Sequence, residues 1–145
     1  MLSALYQDAL LAHYRSPQNR REMAEATGTG SRRNPLCGDE VQVQLRVENG
    51  MIVDVAFSGR ACSIATASAS MLTEVVRGLT PRGALDVADA LDRMLRGECT
   101  ALTATLQALR GVAPFPARHA CATMPWAAFR AALSPELAPS GSNSG

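Results

Sequence analysis

Hydrophobic positions along the chain change period several times, and each change marks an element. Leu2, Leu5, Ala9, Leu10 and Ala12 recur at helical spacing, which predicts an amphipathic helix over 3–15, capped by Ser3 and stopped by Pro17. Residues 17–40 are polar and contain glycine, so a long connection is expected there, with a short strand near 27–33. From 41 the period is two. Val41, Val43, Leu45 and Val47 alternate with Gln42, Gln44 and Arg46, and Met51, Val53, Val55 and Phe57 alternate on the return. This predicts a hairpin. Asn49-Gly50 suggests a two-residue turn, but that register sets Arg46 opposite Val53. A three-residue loop, Glu48-Asn49-Gly50, pairs Val47 with Met51 and Leu45 with Val53 and buries one clean face, so it is the expected register.

After Gly59 the period becomes helical. Cys62 begins a helix with Ile64, Met71, Leu72 and Val75 inward, ended by Gly78. The middle of this helix is all small residues, so something packs closely against it. Thr80-Pro81 opens the next helix and Gly97 closes it. Its inner face is Leu85, Ala88, Leu91 and Leu95, with Asp86, Asp89 and Asp92 outside. A shorter helix follows Thr100, with Leu102, Leu106 and Leu109 inward, and a last helix covers 118–132. The prediction is an α+β fold: a small antiparallel sheet of about three strands packed with about five helices. It forms a single domain over 1–133, and a disordered tail follows over 134–145.

Composition narrows the function. The chain has 145 residues, 47% of them hydrophobic, enough for a core without disulfide staples. Net charge is +1 and every basic residue is arginine. Arginines and acids alternate along the chain, which argues against a nucleic-acid stripe or a polybasic membrane patch. No segment reads as a signal peptide or a bilayer span, so a cytoplasmic setting with reduced thiols is expected. Four cysteines in that setting read as metal-binding or reactive.

Three of them fall at element boundaries. Cys37 lies in the turn NPLCGD before the hairpin, Cys62 just after it, and Cys121 in the expected first turn of the last helix. Helix N-termini favour thiolates at Cys62 and Cys121. Three thiolates with Asp39 make a tetrahedral donor set suited to zinc. Such a cluster carries a formal charge of about −2, which a nearby arginine such as Arg118 would offset. The competing view is that these are ordinary small core cysteines, and that Asp39 only caps its turn. Cys99 reads as an incidental helix-end cysteine or a peripheral thiol, His13 as structural, and Trp126 and Phe129 as core, with docking the other option for Trp126.

The blocks LYQDALLAHYRSPQN, NPLCGDEVQVQL, FSGRACSIATASASML and FPARHACATMPW together resemble the NifU/IscU family of iron–sulfur assembly proteins, and its SufU branch most. The resemblance spans the chain except the tail. Scaffolds of the IscU type carry a histidine immediately before the last cysteine, where this chain has Ala120. His119 is one position away and does not inherit that role. Residues 79–111 resemble the insertion of the SufU branch.

The resemblance implies one zinc held by Cys37, Asp39, Cys62 and Cys121. It also implies a persulfide sulfur accepted at Cys37 from a SufS-type pyridoxal-phosphate cysteine desulfurase. In that branch a histidine of the desulfurase replaces one zinc cysteine on docking. The sulfur would pass on to downstream iron–sulfur scaffold proteins, which makes the chain a sulfurtransferase if a relay protein is counted as an enzyme. Two other functions stay open: a scaffold that builds an iron–sulfur cluster on the same thiolates, and a structural zinc module that only docks partners. Ala120 and the insertion favour the acceptor over the scaffold.

Overall fold

The structure is a computed structural model describing residues 4–35, 38–98 and 102–137. Its elements run α1 (Ala4–Arg15), β1 (Gly28–Arg33), β2 (Glu40–Glu48), β3 (Met51–Arg60), α2 (Ser63–Val76), α3 (Pro81–Leu95), α4 (Ala104–Gln107), a 3₁₀ turn (Ala108–Val112) and α5 (Pro116–Leu137). The strands form one antiparallel sheet in the order β1-β2-β3. The α+β expectation therefore holds, with three strands and five helices, and the short strand suspected near 27–33 is β1.

The hairpin register differs from the expected one. Glu48 pairs with Met51 across a two-residue Asn49-Gly50 turn, and both turn residues are left-handed (φ 54° and 76°). That is the geometry Asn-Gly favours, because its twist matches that of the strands. The register then shifts between Arg46 and Val47, so that Val47 pairs with Ile52 but Arg46 with Asp54. Val53 is the extra residue of a bulge and is exposed together with Met51. Beyond it Leu45 faces Val55 and Val43 faces Phe57, all buried. The bulge reconciles the best turn with a clean apolar face; a reading that allowed only one register could not include it.

One sheet face is covered by α5, which packs on β1 and β2 and also against α2. The opposite face is crossed by the connection after α1. There the Met23 N–H donates to Gln44 Oε1 (2.9 Å), and Gln44 Nε2 donates back to the Met23 carbonyl (3.1 Å). The same connection lies along the outer edge of β3. Arg21 N–H donates to the Phe57 carbonyl (2.9 Å), and Phe57 N–H to the Asn19 carbonyl (3.0 Å). Near the turn, Ile52 N–H donates to the Leu79 carbonyl, and Gly78 N–H to the Ile52 carbonyl.

Helix α2 is the centre of the molecule, with every residue from Ala65 to Thr73 buried. Its small side chains admit neighbours on several sides, and its hydroxyls all find partners, as buried polar groups must. Ser68 Oγ donates to the Ala122 carbonyl (2.7 Å) and accepts from the Trp126 indole N–H (3.1 Å). Ser70 Oγ accepts from the Gln18 N–H (2.8 Å) and bonds His13 Nδ1 (2.7 Å). His13 is thus the tie between α1 and α2. In α1, Ala9 and Leu10 pack on the core, but Ala12, expected inward, is exposed. Trp126 and Phe129 are core, ring edge to ring face at 6.1 Å.

Thr80 caps α3 as expected, accepting from the Gly83 N–H (3.0 Å), and Arg130 of α5 pairs with Asp89 and Asp92 on its outer face. Helix α5 starts at Pro116, two residues before the expected start, because proline suits the first helical position. It also continues to Leu137, into the segment read as tail; residues 138–145 lie outside the described residues. Pro125 sits in its interior and has no N–H to give the Cys121 carbonyl. Among the described residues, no helix is long and apolar enough to cross a membrane.

The approach of α5 to β1 requires glycine. A Cβ at Gly30 would run into the Ala128 carbonyl oxygen and sit 2.6 Å from the Ala132 nitrogen. Backbone cannot yield as a side-chain tip can. Gly30→Ala should therefore separate helix from sheet and cost about 1–3 kcal/mol. Thermal unfolding of that variant should show a fall of roughly 3–10 °C in melting temperature; an unchanged value would mean the helix is not seated on the strand backbone.

Candidate metal centre

The candidate site lies at the sheet end opposite the Asn49-Gly50 turn. There β1 hands over to β2, and β3 leads through Ala61 and Cys62 into α2. Two backbone bonds close the loop between β1 and β2: Asn34 N–H donates to the Asp39 carbonyl (2.8 Å), and Gly38 N–H to the Asn34 carbonyl (2.7 Å). Asp39 is half-buried, and its Oδ2 accepts from the Cys62 N–H (3.0 Å). A side-chain bond 23 residues long in sequence thus fastens the loop to the start of α2.

Cys62 is the N-cap residue of α2, with extended backbone (φ −65°, ψ 171°), and its Sγ accepts from the Ala65 N–H (3.5 Å). A sulfur in this position faces the free N–H groups at the start of the helix. The expected helix-start placement is therefore correct for Cys62. It is not correct for Cys121, which lies in the second turn of α5, because the helix begins at Pro116. The dipole argument for a Cys121 thiolate loses its force there, since the effect fades beyond the first turn. Cys62 and Cys121 are both half-buried and packed against the core, and neither is in a disulfide.

Cys37 and Cys99 lie outside the described residues. The structure joins Asp39 to Cys62; among the described residues, no three His, Cys, Asp or Glu side chains gather closely enough to hold a metal ion. The donor chemistry nonetheless suits zinc. Asp39 uses one oxygen to accept from Cys62, and a carboxylate has lone pairs to spare for a cation. His119 is engaged elsewhere. Its Nε2 lies 2.8 Å from the Ala113 carbonyl, a pure acceptor, so that nitrogen carries a proton. Arg118 is exposed in the first turn of α5, three residues before Cys121 and so on the same side of the helix.

Two features escape a one-dimensional reading. A groove of about 570 Å³ opens beside the start of α2, lined by Leu10, Leu11, Tyr14, Ile64, Phe115 and Arg118. Leu11, Tyr14 and Phe115 are all substantially exposed (43%, 46% and 53%). In the sequence they are three scattered hydrophobics in two segments, and only the packing of α1 against the 3₁₀ turn just before Phe115 brings them together. The second feature is a row of arginines across the sheet end, for which the strand register is the missing information.

The model of the family described as NifU-like N terminal domain matches residues 5–132. The chain is 31% identical over 138 residues to the zinc-dependent sulfurtransferase SufU of Bacillus subtilis, covering 93% of both chains. It is 33% identical over 135 residues to the iron-sulfur cluster assembly scaffold protein IscU of Streptococcus pyogenes, covering 91% of this chain and 84% of that one. Among solved structures, it resembles a putative iron-sulfur cluster assembly scaffold protein for the SUF system from Fervidobacterium islandicum, with a TM-score of 0.82 at 25% identity over 88% of this chain and 95% of that one. It also resembles the N-terminal part of a nitrogen-fixing NifU-like protein from Brucella abortus, with a TM-score of 0.81 at 25% identity over 92% and 96%. The match of fold, of sequence blocks and of nearly the whole length leads to one conclusion: the chain belongs to the NifU-like N-terminal domain family.

Proposed function

We propose that this chain accepts sulfur from a cysteine desulfurase at Cys37 and relays it into iron–sulfur cluster assembly, with zinc bound by Cys37, Asp39, Cys62 and Cys121. The observation that carries this reading is the Cys62 N–H bond to Asp39 Oδ2. It draws the segment bearing one thiol to the start of the helix bearing another. The likeness to a zinc-dependent sulfurtransferase over nearly the full length supports it.

Zinc in this site would keep its cysteines deprotonated and hold them in place. The chain's own residues do the rest. The Ala65 N–H orients the Cys62 sulfur, and Asp39 keeps the loop joined to α2. Sulfur transfer is then an exchange. The Cys37 thiolate attacks the terminal sulfur of the donor persulfide, a new S–S bond forms, the donor's S–S bond breaks, and its inner sulfur leaves as thiolate. No net oxidation occurs. Cys37 is the travelling thiol because the residue after it, Gly38 (φ 78°), gives the backbone freedom, whereas Cys62 caps α2 and Cys121 lies within α5. Arg118, exposed near Cys121, offsets the negative charge of the cluster.

A scaffold function is the second reading, favoured by the similarity to a protein named as an IscU scaffold. Ala120, where the scaffold pattern has histidine, speaks against it. Stable, stoichiometric cluster formation on the zinc-loaded protein, seen by visible absorption, would decide for the scaffold.

Three outcomes are expected. Stripping zinc should lower the melting temperature strongly, because structural zinc contributes on the order of 10 kcal/mol, as much as a whole domain's stability; equal melting of the two forms would refute a zinc site joining distant segments. After reaction with a desulfurase and cysteine, peptide mass spectrometry should find the added sulfur on Cys37, and Cys37→Ala should abolish acceptance. Sulfur found mainly on Cys62 or Cys121 would overturn that assignment. Finally, Cys99→Ser should keep full zinc content and full sulfur acceptance; zinc loss in that variant would put Cys99 in the ligand set.

A further inference from the structure

The strand register sets Arg33, Glu40 and Arg60 opposite one another in a single row across β1, β2 and β3. Side chains paired in this way share a face of the sheet. The row lies at the sheet end that carries the loop 34–39 and leads within two residues to Cys62. Arg32, before Arg33 on β1, projects from the opposite face of the same sheet end. Arg20 reaches it from the connection after α1, where Nη2 donates to the Gly59 carbonyl (3.0 Å). All four arginines are exposed.

Among the described residues, none of these four forms an ion pair. Elsewhere on the surface Arg21, Arg77 and Arg130 pair with aspartates, and Arg46 with Glu48. Four unpaired cations against one exposed glutamate is a local excess on a chain whose net charge is only +1. Even against the formal charge of about −2 that a zinc site at this end would carry, four cations and Glu40 leave an excess of about +1, and like charges repel. Such clustering makes physical sense at a surface that an anionic body approaches. The body that must approach this end is the sulfur donor. Among the described residues, no exposed aromatic side chain interleaves the arginines as a base-stacking surface would require.

We infer that Arg20, Arg32, Arg33 and Arg60 form an electrostatic docking rim for an acidic face of the protein that delivers sulfur to this site. The inference rests on the sulfur-acceptor reading above. The rim steers and orients the encounter; the thiols carry out the chemistry. Charges at the edge of an interface act mainly on association and its salt dependence, and less on the step that follows.

The test uses the full zinc-loaded chain, a pyridoxal-phosphate cysteine desulfurase with free cysteine as protein donor, and glutathione persulfide as small donor. For the double variant Arg33→Glu with Arg60→Glu, the KM in desulfurase-driven sulfur acceptance should rise by about tenfold or more at low salt, with kcat within about twofold of the original. Added salt should raise the KM of the original chain steeply and that of the variant little. Arg33→Gln with Arg60→Gln should change KM in the same direction by less. At high salt, where its own charge is screened, glutathione persulfide should load Cys37 of all three chains at equal rates. An unchanged KM and salt slope would overturn the proposal. So would slower loading of the variants by glutathione persulfide at high salt, which would place the defect in the site. Oligonucleotide binding that the variants lose, with KM unaltered, would assign the rim to nucleic acid and overturn it too. If the original chain takes no sulfur from either donor, the acceptor reading itself fails.

Discussion

The molecule depends on one close approach: helix α5 lies on strand β1 at backbone distance, at a place where a single methyl group would not fit. From that contact the other layers follow. Helix α5 also packs directly against α2, which lies over β3; α2 is buried from Ala65 to Thr73 and carries only small side chains from Ala65 to Ser70. Its serines and threonines then serve as internal connectors to α1, to the connection that follows it and to α5. A larger residue in the middle of α2 would add apolar area but displace the neighbours on either side.

This packing decides where chemistry can occur. Both ends of the hairpin's long arms meet at the start of α2, and a helix start offers free N–H groups. The Ala65 N–H turns toward a sulfur and the Cys62 N–H toward a carboxylate. The site is therefore assembled from groups that a strand-to-helix junction leaves unpaired in any case. Side chains proposed as zinc ligands there would satisfy the backbone as well as an ion, and so would couple ligand geometry to the integrity of the junction.

Much of this was legible in the sequence, for reasons that can be stated residue by residue. The period-two run from Val41 announced β2, the Thr80-Pro81 pair fixed the start of α3, and Cys62 was recognisable as a helix start. The hairpin register was not legible, because Val53 looks like one more inward residue in an alternating run; only the demand for a left-handed Asn49-Gly50 turn makes it the odd one out. The start of α5 falls at Pro116, two residues ahead of the expected 118, because proline suits the first helical position. The link between Asp39 and Cys62 has no local signature at all, and neither does the row Arg33–Glu40–Arg60. Both depend on which strands pair, a fact carried by the whole hydrophobic pattern and by no short motif.

The outer edge of β3 has a consequence for solubility. A three-stranded sheet leaves two borders on which another chain can continue the ladder, and an exposed border with apolar residues such as Met51 and Val53 invites self-association. Here Ile52 is already bonded to Gly78 and Leu79, and Phe57 to Asn19 and Arg21. Two crossing segments thus act as guards on the border, one on each side of the bulge. A second molecule could add a strand there only by first peeling them away, so aggregation through this edge has to wait for local unfolding.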